Sequence, residues 1–231
     1  MSFSEILYKI LIQGGSYLTI LKGFYATVRI SLFALIAGTV LAAVVCALRM
    51  SKVKIFRFVA AVYIIILRGS PVLMLLMLMY YGIFARSSLE AETIAVITFS
   101  LNVAAHIAEL LRSSISATDF GQVEAARTLG FSAWQAFRLI TLPQVVQIAK
   151  PVYQSTIINL IQWTSVVGYV SITDLTRVIN NISSRTMQPM ITISIGMLIY
   201  LALAYIVHGI FAVSDFFDRR KAHVAAEEVS E

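Results

Sequence analysis

Three polar side chains interrupt a long apolar run between residues 93 and 111. They are Asn102, His106 and Glu109, which stand four and three positions apart. This spacing places all three on one face of an α-helix. If the run crosses a membrane, such a stripe faces either an aqueous cavity or a neighbouring helix, because lipid solvates polar groups poorly. Two interpretations stay open: a path for a solute or a proton, and hydrogen bonds that hold helices together.

A second polar cluster lies in the charge-free run from Pro151 to Thr173. It combines hydrogen-bond donors, acceptors and an indole ring at Asn159, Gln162, Trp163, Thr164 and Ser165. A few polar groups among apolar ones are typical of a site for a small molecule. The cluster is therefore a second candidate for the wall of a solute pathway.

Enzymatic and metal chemistry have little support in the sequence. No H-E-x-x-H or G-x-S-x-G pattern occurs, and His106 with Glu109 makes only an i, i+3 pair. Such a pair is more often a structural contact than a metal site, because zinc sites use at least three protein ligands. Cys46 is the single cysteine, so a disulfide framework within the chain is excluded. We predict no catalytic residue and no metal site.

The composition indicates lipid as the solvent. Of the 231 residues, 59% are hydrophobic and 13% are charged, whereas ordinary globular domains are about 25% charged. We therefore predict an all-α membrane protein, a single domain over residues 1–231 with its core at about 20–219. The net charge of +6 forms no patch dense enough for nucleic acid, and we attribute it to cytoplasmic loops.

Five hydrophobic stretches are predicted to cross the membrane, at residues 24–48, 55–83, 93–111, 151–172 and 191–213. The densest basic loop, with Arg49, Lys52, Lys54 and Arg57, follows the first stretch. Because cytoplasmic loops are rich in Lys and Arg, the N-terminus is predicted outside and the C-terminus in the cytoplasm. Residues 3–12 are predicted as an interfacial helix, and residues 174–188 as a polar outer loop.

The second stretch is interrupted by Arg68, Gly69, Ser70 and Pro71. Pro71 lacks a backbone donor and biases Ser70 away from helical geometry. We predict a bend here, with Arg68 near the cytoplasmic headgroups or simply extended towards them.

A polar segment at residues 118–143 separates the third and fourth stretches and is predicted to be cytoplasmic. Residues 121–129 are predicted as a helix that contains Glu124, Ala125 and Ala126, and Gly130 as its left-handed stop. Ser132 with Gln135 has the spacing of a capping box for a second helix, which Leu142-Pro143 is predicted to end. Two short helices that meet at a glycine, with Phe131, Trp134 and Phe137 as bulky anchors, can dock in a groove of another protein. An amphipathic loop lying on the bilayer is the alternative.

Glu124-Ala125-Ala126, Gly130, Ile140 and Leu142-Pro143 follow a spacing that resembles the EAA loop of ABC importer permeases. The closer resemblance is to the polar amino acid importers, such as those for histidine, glutamine and arginine. It includes Thr27 with Ile30-Ser31-Leu32, the Arg68–Pro71 run, Ala108-Glu109 with Arg112, and the patch at Asn159–Ser165. The resemblance covers about residues 22–219.

This resemblance implies a multi-pass subunit of the bacterial inner or plasma membrane. Two permease subunits, identical or related, would form the pathway, and an external binding protein would deliver the amino acid. The EAA loop would dock on a dimer of ATP-binding subunits that hold ATP and Mg²⁺, so this chain would need no cofactor. In agreement, the sequence has no G-x-x-x-x-G-K-[ST] phosphate loop.

Two positions depart from the family pattern. Many members carry a tyrosine where this chain has His106, and a lysine followed by a small polar residue or Asp where it has Gln162-Trp163. Glu109 is the single acid within a predicted span and matches the shared motif. We therefore expect a neutral polar amino acid first and an arginine-like one next.

An ion-coupled secondary transporter or channel is the alternative function, with His106, Glu109 and His208 as a proton relay. A scaffold that recruits a partner through residues 118–143 is a third. The EAA-like loop distinguishes them, because a self-sufficient transporter does not need it.

Overall fold

The computed structural model describes residues 8–13 and 15–230, with side chains for residues 8, 10–12 and 15–216. All regular structure in these residues is helical, which confirms the predicted all-α fold. After a π-helical turn at Lys9–Gln13 come α1 (Ser16–Arg49), α2 (Lys54–Gly69), α3 (Val72–Met77), α4 (Ala91–Ser116), α5 (Phe120–Thr128), α6 (Ala133–Ala136), α7 (Leu142–Trp163), α8 (Leu175–Thr186) and α9 (Pro189–Ser230). Three further segments are a π-helix after α3 (Leu78–Ile83), a π-helix before α7 (Phe137–Thr141) and a 3₁₀-helix after it (Thr164–Val170). The predicted interfacial helix at residues 3–12 lies mostly outside the described residues.

Among the described residues, three helices are long and apolar enough to cross a membrane: Ser16–Arg49, Ala91–Ser116 and Pro189–Phe216. The bent pair Lys54–Gly69 and Val72–Ile83 makes a fourth if it counts as one span. The predicted stretch 151–172 is not among these candidates, because it is divided between the polar helix α7 and the 3₁₀-helix. The structure thus supports three to four spans by length and composition, against the five predicted.

The bend predicted at Arg68–Pro71 is confirmed. Helices α2 and α3 meet at 108°. Ser70 between them is extended, with φ −89° and ψ 136°, as expected for a residue that precedes a proline.

The core is built on two parallel helices, α1 and α4. Arg29 in the first half of α1 pairs with Glu92 in the first turn of α4, and further along both helices a Cβ at Gly38 would lie 3.0 Å from the Ser100 carbonyl oxygen. The glycine therefore permits backbone approach that a side chain would prevent. Ile30, Ala34, Phe99 and Val103 are fully buried around this contact.

Residues 174–188 were predicted as a polar outer loop, and the expectation of a loop was wrong, because the segment contains the helix α8. The Asp174 carboxylate accepts hydrogen bonds from the backbone N–H groups of Thr176 and Arg177, both at 3.0 Å, which is an N-cap. Burial raises the pKa of this carboxyl group. The apolar positions Leu175, Val178, Ile179 and Ile182 form a buried stripe. The prediction missed this stripe because most residues of the segment are polar, so its mean hydropathy is low.

The prediction that Leu142-Pro143 ends a helix was also wrong. Helix α6, the π-helix and α7 follow one another without a break from Ala133 to Trp163. Pro143 lies in the first turn of α7, after the wider π-helical turn, where a missing N–H costs little. One continuous helical path therefore joins the polar segment to the candidate pathway.

Candidate functional site

The segment 118–143 is held at its base by side-chain hydrogen bonds. Asp119 caps α5 by accepting from the Gly121 N–H at 2.9 Å. Gln144 on α7 accepts from the Asp119 N–H at 3.0 Å and donates to Gln122 at 3.1 Å. Sequence reasoning missed Gln144, which fixes the start of α5 against the start of α7.

Gly130 forms the corner between α5 and α6. Its φ is +90°, a value that residues with a Cβ rarely adopt. The Phe131 N–H reaches back to the Ala126 carbonyl at 3.1 Å, and Arg127 donates to the Phe131 carbonyl at 2.7 Å. The predicted left-handed stop is confirmed, and these bonds give the corner a defined shape.

The predicted capping box at the start of α6 is also confirmed. The Gln135 N–H donates to Ser132 Oγ at 3.2 Å, and the Ser132 N–H donates to Gln135 Oε1 at 2.7 Å. The two bonds satisfy donors that a helix start otherwise leaves open.

An apolar surface is exposed around this corner. We call it the corner surface, and it consists of Leu129, Phe131, Trp134 and Phe137. Trp134 is 67% exposed and stacks on Phe137 with ring centroids 5.8 Å apart, and Leu129 is 79% exposed. Ala126 and Ala136 are buried behind this surface, whereas Glu124 and Ala125 are exposed. Aromatic side chains presented in this way are typical of the centre of a protein interface.

Asn102, His106 and Trp163 come together inside the helix bundle. Asn102 is 2% exposed, and its Nδ2 donates to the Leu67 carbonyl at 2.8 Å, directly before Arg68. Its Oδ1 has no hydrogen-bond partner among the described residues. His106 Nδ1 lies 3.0 Å from the Asn102 carbonyl oxygen, and its ring centroid is 5.0 Å from that of Trp163. The two predicted polar clusters therefore meet at a histidine and a tryptophan.

Other predicted pathway residues have different surroundings. Glu109 accepts two hydrogen bonds from the Arg112 guanidinium, at 2.6 and 3.0 Å, so its charge is already paired. Thr164 is fully buried and donates to the Ile161 carbonyl at 2.7 Å. Neither contact involves the His106–Trp163 pair.

Helix α7 exposes a polar face. Asn159 and Gln162 are exposed, and so is Ser155, which sequence reasoning missed. The three stand four and three positions apart and share one side of the helix. Because lipid solvates such groups poorly, this face needs water or another protein against it.

The sequence of the chain matches one protein family over residues 34–223: the binding-protein-dependent transport system inner membrane component. The chain belongs to this family. The permease is also similar to the "Probable amino-acid ABC transporter permease protein YckA" of Bacillus subtilis (strain 168), at 37% identity over 86% of this chain and 87% of that protein. It is 33% identical to the L-cystine transport system permease protein TcyB of the same organism, over 80% of each chain.

Solved structures show the same architecture. One chain of an amino acid ABC transporter crystallised with histidines superposes with a TM-score of 0.81 at 28% identity, over 91% of the permease and 98% of that chain. The inward facing MetNI methionine ABC transporter gives a TM-score of 0.70 at 19% identity, over 84% and 93%. At 19% identity, the similarity to the MetNI chain shows a shared fold only.

These findings confirm the predicted class. The chain is a multi-pass inner membrane permease of the binding-protein-dependent amino acid ABC importers. Its ATPase, which binds ATP, is a separate subunit. The family also implies an ATPase and a binding protein as partners.

Proposed function

We propose that residues 118–143 dock in a groove of the ATPase subunit and transmit its closure to the membrane helices. The observation that supports this most is the corner surface: apolar side chains exposed on a segment whose shape is fixed by caps and a left-handed glycine. A rigid protruding surface loses little conformational entropy on binding. Gly130 sets the corner, Ala126 packs behind it, and Glu124 and Ala125 are exposed beside it.

The continuous helical path supports the transmission step. Leu142 and Pro143 join the docking segment to α7 without a loop. A displacement of the corner surface is therefore carried to Trp163 along one helical path, in which Pro151 removes a backbone hydrogen bond. A flexible connection at this point would absorb the same displacement.

We further propose five crossings, with the N-terminus outside and the C-terminus in the cytoplasm. Helices α1, α4 and α9 would run inward, and the bent pair α2–α3 and α7 outward, within one permease domain. Helix α7 is antiparallel to α9, as the contacts Lys150–Asp215 and Gln154–His208 indicate. A second permease subunit would cover the polar face of α7, and the pathway would lie between the two copies.

The candidate pathway consists of Asn102, His106, Asn159, Gln162, Trp163 and Ser165, with Glu109 and Thr164 as nearby structural members. The permease TcyB is named for L-cystine, and the permease HisM of Salmonella typhimurium, 28% identical over 82% of this chain, for histidine, lysine, arginine and ornithine. In this chain Glu109 is paired with Arg112, so it is not available to neutralise a cationic side chain. This favours a neutral polar amino acid, delivered by the external binding protein.

Gly130→Val tests the docking proposal. A β-branched residue is strained at φ +90°, so we expect the corner to change shape while the protein still inserts. ATP-driven uptake in proteoliposomes with the ATPase and binding protein should fall at least about tenfold, which corresponds to roughly 1.4 kcal/mol of lost coupling.

Gly130→Asn is the matched control, because asparagine tolerates left-handed backbone better than valine does, and it should keep most of the uptake. No atom lies within 4 Å of a Cβ built at Gly130, so crowding within the chain does not explain a difference between the two variants. Wild-type uptake by Gly130→Val would overturn the docking model.

A further inference from the structure

A basic pocket lies between the first turns of α1 and helix α8. Its cavity volume is about 230 Å³, and its polar lining consists of Thr19, Lys22, Thr173, Asn181 and Arg185. Two apolar side chains of α8, Val178 and Ile182, complete the lining. Neither the docking segment nor the candidate pathway includes any of these residues.

The chemistry of the lining selects an anion. It contains one ammonium, one guanidinium, one amide and two hydroxyl groups, and no carboxylate among the described lining residues. Arg185 Nη2 donates to Ser16 Oγ at 2.7 Å, which ties the guanidinium to the start of α1. A guanidinium held in this way, with an ammonium beside it, offers several donors to the acceptor oxygens of a phosphate group.

The position of the pocket along α1 identifies the source of that phosphate. Arg49, where the basic loop begins, stands 27 positions after Lys22 on α1, which corresponds to a rise of about 40 Å. This is close to the ~40–45 Å thickness of a bilayer with its headgroups. If Arg49 lies among the headgroups of one leaflet, Lys22 lies among those of the other.

Exposed tyrosines support the same depth. Tyr17 and Tyr25 flank Lys22 on α1 and are 51% and 63% exposed. Tyrosine is enriched at the boundary between hydrocarbon and water. The pocket therefore opens at the level where lipid phosphates are found, on a helix that also presents apolar side chains, Leu18 and Leu21, to its surroundings.

We propose that this pocket binds the phosphate of an anionic phospholipid headgroup and thereby holds α8 against α1. Lys22 and Arg185 supply the charge, and Asn181 and Thr173 supply further donors, whereas the Thr19 hydroxyl already donates to the Ser16 carbonyl at 2.8 Å. The leaflet, which is the outer one in the topology proposed above, does not affect the chemistry.

Lipid retention by the assembled importer tests this proposal. The permease, purified with its ATPase from nanodiscs of mixed phosphatidylglycerol and phosphatidylcholine, is released in a mass spectrometer and the bound lipid is counted. We expect phosphatidylglycerol to be enriched on the wild type. Lys22→Gln and Arg185→Gln should each lower that enrichment about fivefold, the weight of one basic group near an anionic membrane.

Two matched variants test whether lipid enrichment depends on a positive charge in this pocket or on any positive charge of the protein. Lys22→Arg should keep the enrichment. Arg86→Gln, which removes an exposed arginine outside the pocket lining, should leave it unchanged. Equal retention of both lipids, or enrichment that survives both glutamine variants, would overturn the proposal.

Competition identifies other occupants. If inorganic phosphate at millimolar concentration displaces the lipid completely, the pocket takes a free anion and the lipid assignment is wrong. If Lys22→Gln leaves lipid retention intact but abolishes stimulation by the binding protein, the occupant is an acidic side chain of that protein, which also overturns the proposal. Retention of lipid is measured without transport, so failure of the coupling model does not affect this test.

Discussion

At the scale of single residues, the polar stripe of α4 separates into different roles. The spacing of Asn102, His106 and Glu109 correctly predicted one helical face. It could not predict partners, because these come from other elements: the Leu67 carbonyl at the end of α2 for Asn102, and Trp163 of α7 for His106. Glu109 finds Arg112 on its own helix, so the three polar residues of the stripe have different partners.

The His106–Trp163 pair yields a prediction about selectivity. If these rings contact the solute, His106→Ala and Trp163→Ala should change the ratio of uptake rates for two competing amino acids by about fivefold, since an aromatic contact contributes ~1 kcal/mol. Trp163→Phe keeps an aromatic face and should change the ratio less. Competitive uptake of labelled amino acids measures this ratio.

His208→Ala is the control for the histidine, because His208 is exposed and contacts Gln154 rather than Trp163. It should leave the ratio unchanged. Unaltered rate and selectivity in His106→Ala, Trp163→Ala and Gln162→Ala together would remove these residues from the pathway.

At the scale of elements, short-range sequence patterns predicted the corner at Gly130. They did not predict that the helix continues beyond Pro143. The left-handed glycine at Gly130 and the capping box of Ser132 with Gln135 depend only on residues close in sequence, and both predictions are confirmed. The rule that a proline ends a helix failed at Pro143, because the π-helix before it places the proline in a first turn. Helix α8 was missed because its apolar residues, although helically spaced, are outnumbered by polar ones.

The capping box should matter for the order of α6. Ser132→Ala removes the acceptor for the Gln135 N–H and should cost about 1 kcal/mol of local stability. Amide hydrogens at 133–136 should then exchange about fivefold faster, and coupled uptake should fall.

Ser132→Thr keeps the hydroxyl group and should restore both properties. Unchanged exchange at residues 133–136 in Ser132→Ala would mean that the box does not limit opening of α6. The measurement then argues against a rigid corner surface.

At the scale of the whole molecule, basic clusters and hydropathy predicted a helical membrane protein and the parallel course of α1 and α4. The proposed crossing by α7 does not pass a hydropathy test in the structure, because the glutamines of α7, Asn159 and Lys150 lower the average. Polar residues of this kind are tolerated only where a partner surface or water covers them. In the topology proposed above, a second permease subunit would supply the surface that covers α7.

Sidedness can be measured with single cysteines. The native Cys46 is buried, so a membrane-impermeant maleimide should react with it poorly. Ser184→Cys, exposed on α8, should react in whole spheroplasts, and Ala133→Cys, exposed on α6, in inside-out vesicles. The reverse pattern would invert the proposed topology, and reaction of both from one side would mean an even number of crossings between 133 and 184.

The unbroken helical path from Ala133 to Trp163 has a mechanical consequence. Its 31 residues extend about 46 Å if they lie along one axis. Pivoting a straight rod of that length by about 5° at its Ala133 end would carry the Trp163 ring roughly 4 Å sideways, given the same rise per residue. The two rings now have centroids 5.0 Å apart, so a swing of this size is enough to separate the indole from the imidazole. A small stroke at the Ala133 end would thus separate the two rings, provided that Pro151 inside α7, which leaves one backbone hydrogen bond unmade, does not let the path bend.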